Sequence, residues 1–167
     1  MLKKLFGKKS EPKDVQVFSP ANGTFVDLTE VPDPTFSEKM MGEGFAVDPA
    51  EGKIVSPVKG KVTQVFPTKH ALGIRSDEGL DLLIHIGLET VSLNGEGFEV
   101  HTSEGSSVNQ GDVLVEFDMD KVNQDAKSTI TPVVFTEADQ INSHSIESVQ
   151  DLSAGETPVA TVNVNPS

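Results

Sequence analysis

The chain has no cysteine among its 167 residues. Disulfides and thiolate metal sites are therefore excluded, and a reducing compartment is compatible with the composition. No apolar run approaches the roughly 20 residues of a membrane-spanning helix, and the start lacks the apolar stretch of a secretion signal. A soluble, intracellular, cytoplasmic protein is expected. Cations are also scarce, with 13 Lys and Arg against 26 Asp and Glu and a net charge of −13. The few there are gather at the start. Residues 1–13, MLKKLFGKKSEPK, hold five Lys and one Glu, which leaves −17 on the other 154 residues. So acidic a body argues against nucleic-acid binding, which needs cations to displace phosphate counterions. It suits basic protein partners or solubility alone. The basic tail, with Leu2, Leu5 and Phe6, has the composition of one or two amphipathic turns on an anionic membrane, at its inner face; a solvated tail is the alternative.

What is present after residue 14 is a series of short runs rich in Val, Ile, Phe and Thr, such as GTFVDL, KVTQVFP, LDLLIHI, DVLVEFD and TITPVVF. They are separated by turn signals including PANG, PVKG, SDEG, NGEG and NQGD. Helical periodicity is weak, a turn or two around DKVNQDAKS and EADQINSHS. The pattern predicts an all-β fold, an antiparallel sandwich or flattened barrel, with one or two short helical turns. Two faint echoes suggest duplication: SPANGTFV at Ser19 returns as SPVKGKVT at Ser56, and VNQGDVLVEF at Val108 returns as LSAGETPVAT at Leu152. No linker divides the body, so residues 14–167 read as one domain.

Two histidines stand in neighbouring apolar runs, His70 in FPTKHALGI and His85 in LLIHIG. If Arg75 pairs with Leu80 across a four-residue SDEG loop, His70 faces His85 with Cβ atoms about 4.5–5.5 Å apart. Leu72, Ile74, Leu83 and Gly87 then share the histidine face, and Leu82, Ile84 and Ile86 point inward. A one-residue slip would send the imidazoles to opposite faces. Apolar neighbours keep an imidazole neutral, with a free lone pair on one nitrogen. Such a pair suits a histidine that accepts and releases a phosphoryl group. It equally suits two ligands of a Zn²⁺ site, or two ordinary strand histidines with satisfied hydrogen bonds. Spacing alone leaves all three open.

The ordered blocks VPDPTFSEKMMGEGFAV, SPVKGKV, FPTKHALGI, LLIHIGLETVSLNGEGFEV, GDVLVEFD and AKSTITPVV resemble the glucose-family EIIA component of the phosphoenolpyruvate-dependent sugar phosphotransferase system. The likeness runs through nearly the whole body. It implies a β-sandwich of the duplicated hybrid type with a shallow active-site depression. By motif match the phosphoacceptor is His85, through Nε2. His70 is the neighbouring histidine required for onward transfer, and Thr68 supports it by hydrogen bonding. The phosphoryl donor would be the carrier protein HPr, and the acceptor a cysteine on an EIIB domain of a sugar permease. Regulated transporters or kinases are further partners implied by the family. The matching docking surface is Phe36, Met40, Met41, Phe66, Leu72 and Ile86, with Asp33 and Glu89 as the carboxylates that meet a basic carrier. No cofactor is required for the transfer. A Zn²⁺ held by His70 and His85 would need a further ligand from a partner. Beginning at a Met with its own basic tail, the chain is expected to be a free-standing EIIA.

Other classes are weaker. A zinc hydrolase of related β fold needs His-x-His, and Gly87 stands where the second histidine would be. Lys39 in SEKMM loosely resembles the modified lysine of swinging-arm domains, but Glu38 rather than Met precedes it. LNGEGF is glycine-rich without the Gly-Lys-Ser/Thr of a P-loop. His101 and His144 are expected to be surface or loop histidines.

Overall fold

The computed structural model describes residues 11–165. The expected contact of the basic tail with membrane falls on residues outside that span, while Lys13 already opens the first strand. Fourteen strands run through the described chain. The first seven are β1 (Lys13–Phe18), β2 (Gly23–Val26), β3 (Glu43–Pro49), β4 (Lys53–Val55), β5 (Gly60–Val65), β6 (Ala71–Ser76) and β7 (Asp81–His85). The others are β8 (Phe98–Val100), β9 (Ser107–Val108), β10 (Val113–Phe117), β11 (Thr131–Phe135), β12 (Ile141–Ile146), β13 (Asp151–Leu152) and β14 (Pro158–Val164). All named pairings are antiparallel. An eight-stranded sheet, β13-β2-β3-β11-β7-β6-β5-β9, packs with two three-stranded sheets, β1-β14-β12 and β4-β10-β8. The all-β sandwich expected from the sequence is the fold. Among the described residues no helix is long and apolar enough to cross a membrane.

Side-chain alternation sorts the large sheet into two faces. Phe45 and Val47 of β3, Leu72 and Ile74 of β6, Leu82 and Ile84 of β7, and Val133 and Phe135 of β11 enter the main core. There they meet Val15 and Val17 of β1, Ile54 of β4, Leu114 of β10 and Val162 of β14. The intervening residues Ala46, Ala71, Leu83 and Val134 form a second cluster with Leu28, Val31, Phe36 and Leu88. That second face carries the site.

The β6–β7 hairpin departs from the expected register by one residue. Arg75 pairs with Asp81, Leu72 with Ile84, and Ala71 with His85. Ser76 closes a loop of only Asp77–Gly79: its amide donates to the Leu80 carbonyl (2.9 Å) and its hydroxyl accepts from the Leu80 amide (3.0 Å). Arg75 then grips Asp81 through two bonds of 2.8 and 3.0 Å. This register sends Leu72, Ile74, Leu82 and Ile84 together into the core, which the expected one would have split between faces.

Both sequence echoes are structural. Ser19 Oγ donates to the Ala21 carbonyl and Ser56 Oγ to the Val58 carbonyl. The two reversals also bond each other reciprocally, Phe18 N–H to Pro57 O (2.9 Å) and Val55 N–H to Pro20 O (2.7 Å). Their later counterparts close the pattern, with Gly155 N–H donating to Ser19 O and Gly111 N–H to Ser56 O. A Cβ on Gly155 would lie 2.8 Å from the Gly111 Cα, so only glycine allows the repeats to meet back to back.

Two helical expectations resolve differently. DKVNQDAKS holds all but the first residue of the helix Met119–Asp125, which is capped by Asp118, whose carboxylate accepts from the Lys121 amide. EADQINSHS keeps only a turn at Ala138–Gln140 before becoming β12, which pairs with β14. A four-residue helix, Pro34–Ser37, forms where none was expected. Asp33 caps it by accepting the Thr35 amide, and Pro34 opens it.

Candidate functional site

His85 is the last residue of β7, and His70 lies just before β6. With Ala71 opposite His85, a regular pleat would put the two imidazoles on opposite faces. His70 escapes that rule because it is outside the strand. Lys69 before it is left-handed (φ 64°), and the Phe66–Lys69 turn, closed by Lys69 N–H to Phe66 O (2.8 Å), redirects the chain. The Ile86 amide still donates to the His70 carbonyl at 2.7 Å. The rings consequently meet edge to face, 4.9 Å apart at 79°. Phe36 abuts His85 (5.1 Å) and Phe66 abuts His70 (5.7 Å), both edge-on. The pair thus sits in an aromatic row supplied by three segments, the Pro34–Ser37 helix, the turn from Phe66 to His70 and the end of β7.

Each ring is anchored through Nδ1. His85 Nδ1 lies 2.8 Å from the Gly87 carbonyl. A carbonyl only accepts, so Nδ1 carries the proton and neutral His85 keeps its lone pair on Nε2. His70 Nδ1 lies 2.6 Å from Thr68 Oγ1. If the hydroxyl donates, His70 carries its proton on Nε2 and can offer it to an anion.

Burial favours the neutral form of both rings. His70, 5% exposed, has its pKa lowered to about 4, first by loss of water and then by the charge His85 would carry. His85 is also lowered by burial, opposed by its bond to the Gly87 carbonyl and by the Asp33 charge. A depression of about 440 Å³ opens over the pair. Phe36, Met41, Phe66 and Val91 give it apolar walls, and Asp33 and Glu89 bring carboxylates.

The structure therefore gathers His70, His85, Thr68, Asp33, Phe36, Met41, Phe66 and Glu89 in one place. Met40, next to Met41 in the chain, is 70% exposed and is not among the residues that line the depression. Two residues expected on the docking surface are not there. Leu72 (1% exposed) and Ile86 (0%) lie in the main core, so neither can touch a partner. The one-residue register change is the reason for Leu72, and Ile86 follows His85 onto the opposite face. Sequence reasoning missed Thr35, Thr90 and Val91, which also line the depression. A signal for Thr90 and Val91 was Gly87, a glycine at positive φ that turns the chain just after His85.

As metal ligands the histidines are short of partners, because both Nδ1 atoms are engaged and two Nε2 atoms remain. Among the described residues, three ligating side chains converge elsewhere, at exposed Glu99, His101 and Glu116. His101 Nε2 is 2.9 Å from Glu116 and 3.8 Å from Glu99, and His144 lies 3.8 Å from Glu43. Both are surface histidines, as expected, each with an acidic neighbour.

Comparison with known proteins places this geometry in context. Residues 15–141 match the family described as phosphoenolpyruvate-dependent sugar phosphotransferase system, EIIA 1. A PTS system glucose-specific EIIA component of Halalkalibacterium halodurans is 52% identical, over 98% of this chain and 99% of that one. One from Staphylococcus aureus is 51% identical, over 99% and 100%. Among solved structures, glucose permease IIA from Mycoplasma capricolum superimposes with a TM-score of 0.82 at 38% identity, covering 89% of this chain and 96% of that one.

Proposed function

The chain belongs to the EIIA 1 family of the phosphoenolpyruvate-dependent sugar phosphotransferase system, and on that premise we propose that it is a cytoplasmic phosphohistidine carrier. His85 accepts a phosphoryl group from HPr on Nε2 and passes it to a cysteine on the EIIB domain of a sugar permease. The observation that carries this reading is the commitment of His85 Nδ1 to the Gly87 carbonyl inside an apolar-walled depression. It leaves Nε2 as the nucleophile and favours the neutral form that can attack.

In the transfer, the Nε2 lone pair forms a bond to phosphorus as the carrier's N–P bond breaks, and that electron pair returns to the carrier imidazole. His70, oriented by Thr68, donates from Nε2 to a phosphoryl oxygen. The Gly87 carbonyl holds the Nδ1 proton as positive character develops on the phosphorylated ring. The protein's part is positioning and electrostatics. Asp33 and Glu89 meet a basic partner, and Met40, Met41, Phe36 and Phe66 supply an apolar contact that excludes water. Methionine adapts well to two partners of different shape. Residues 14–167 act as one domain in this scheme, and regulatory binding to other proteins follows the phosphorylation state of His85.

The test supplies phosphoenolpyruvate, enzyme I and HPr and follows intact mass. Wild type and His70→Ala should gain one acid-labile phosphoryl group, and His85→Ala none. Only wild type should deliver it to an added EIIB. A wild-type chain left unmodified by active donors would reject the carrier reading.

A further inference from the structure

The turn that follows His85 holds its Gly87 carbonyl by contacts on both sides. On one side, the Leu88 amide donates to the Ser128 carbonyl at 2.9 Å, and the Lys127 amide returns a bond to the Leu88 carbonyl at 3.1 Å. The first bond fixes the Gly87–Leu88 peptide, which carries the carbonyl oxygen bound by His85, and the second fixes the Leu88–Glu89 peptide after it. On the other side, Thr90 is fully buried and donates its hydroxyl to the Ile86 carbonyl at 2.7 Å. That bond fixes the Ile86–Gly87 peptide. The Thr90 methyl also packs so close that a Cβ on Gly87 would meet it at 2.7 Å. Gly87 itself is left-handed (φ 76°) and, lacking a Cβ, has a wide choice of conformations unless its flanking peptides are held.

We propose that Thr90 is a positioning residue for phosphoryl transfer: its buried hydroxyl sets the Ile86–Gly87 peptide, so the Gly87 carbonyl holds the His85 Nδ1 proton and aims Nε2 into the depression. The role in transfer rests on the phosphocarrier reading of His85; the effect on the imidazole does not. Thr90 also lines the depression, yet its hydroxyl is spent on the Ile86 carbonyl. It acts through the ring's orientation and not on the phosphoryl group.

The experiment compares wild type with Thr90→Val, which keeps the shape and removes the hydroxyl, and Thr90→Ser, which keeps the hydroxyl and removes the methyl. Long-range ¹H–¹⁵N spectra of the unphosphorylated proteins at neutral pH read the His85 tautomer, and dispersed amide spectra verify folding. Wild type and Thr90→Ser should hold the proton on Nδ1, while Thr90→Val should show a mixture of tautomers. Phosphorylation by HPr should slow on the order of 10- to 100-fold in Thr90→Val, as expected for a misaimed nucleophile, and stay near wild type in Thr90→Ser. Should Thr90→Val not fold, Thr90→Ala against Thr90→Ser makes the same comparison. An unchanged tautomer in the hydroxyl-free variant overturns the proposal, as does a Ser variant as disturbed as the Val one. If wild type takes no phosphoryl group from active donors, the carrier reading fails, while the tautomer spectra still decide whether Thr90 positions the ring.

Discussion

Lowering the pH should withdraw stability from this fold through His70. In the unfolded chain the imidazole titrates near its ordinary value of about 6.5; in the folded chain burial and His85 bring it to about 4. Between those values the unfolded state binds more protons, so stability present above pH 6.5 is lost as the pH falls through the folded pKa. The full difference corresponds to about 3 kcal/mol, and going from pH 7 to pH 5 should remove about 2 kcal/mol of it. Carboxylates also begin to titrate there, so the contrast needed is with His70→Gln, which lacks the imidazole. Urea denaturation of both proteins at several pH values between 7 and 4.5 isolates the term. The wild type should lose about 2 kcal/mol more than His70→Gln by pH 5. Parallel pH profiles for the two would mean that His70 titrates normally in the folded protein, and the argument that burial keeps it neutral would fail.

Other expectations follow from the same geometry. Gly87→Ala places a Cβ 2.7 Å from the Thr90 methyl carbon and 2.8 Å from the Ser128 carbonyl oxygen at positive φ. It should cost about 2–4 kcal/mol in denaturant titration and slow phosphorylation as well. Leu72→Ala should destabilise by about 2–5 kcal/mol while leaving HPr affinity per folded molecule unchanged. Met40→Ala should do the reverse, and calorimetric titration with HPr alongside melting curves separates the two. Transfer from HPr should slow as NaCl rises from about 50 to about 500 mM, because salt screens the acidic rim from a basic carrier. A rate independent of salt would count against steering.

The fold class and the identity of the site pair were readable because each rests on local composition. Alternating β-branched runs mark strands wherever they end up in the sheet, and the blocks around His70 and His85 are long enough to identify a family. Register was not readable in the same way. SDEG suits either a three- or a four-residue loop, and the choice was made by the Ser76–Leu80 bonds and the Arg75–Asp81 pair, interactions between residues that no local pattern ties together. One wrong register displaced Leu72 to the wrong face. The imidazoles still met, for a reason invisible in the pleat, since His70 leaves the strand through a left-handed Lys69. EADQINSHS shows the same limit. Its polar spacing permits a helix, and pairing with β14 made it a strand. The Ser-Pro echoes were legible because a tight reversal constrains its own residues.

In the proposed transfer His85 reacts through Nε2 because the Gly87 carbonyl occupies Nδ1. The decisive measurement is ¹⁵N and ³¹P spectra of the chain after phosphorylation by HPr. A single phosphohistidine is expected at position 85, with phosphorus on Nε2 and the Nδ1 proton retained. Phosphorus on Nδ1, or on another residue, would contradict it.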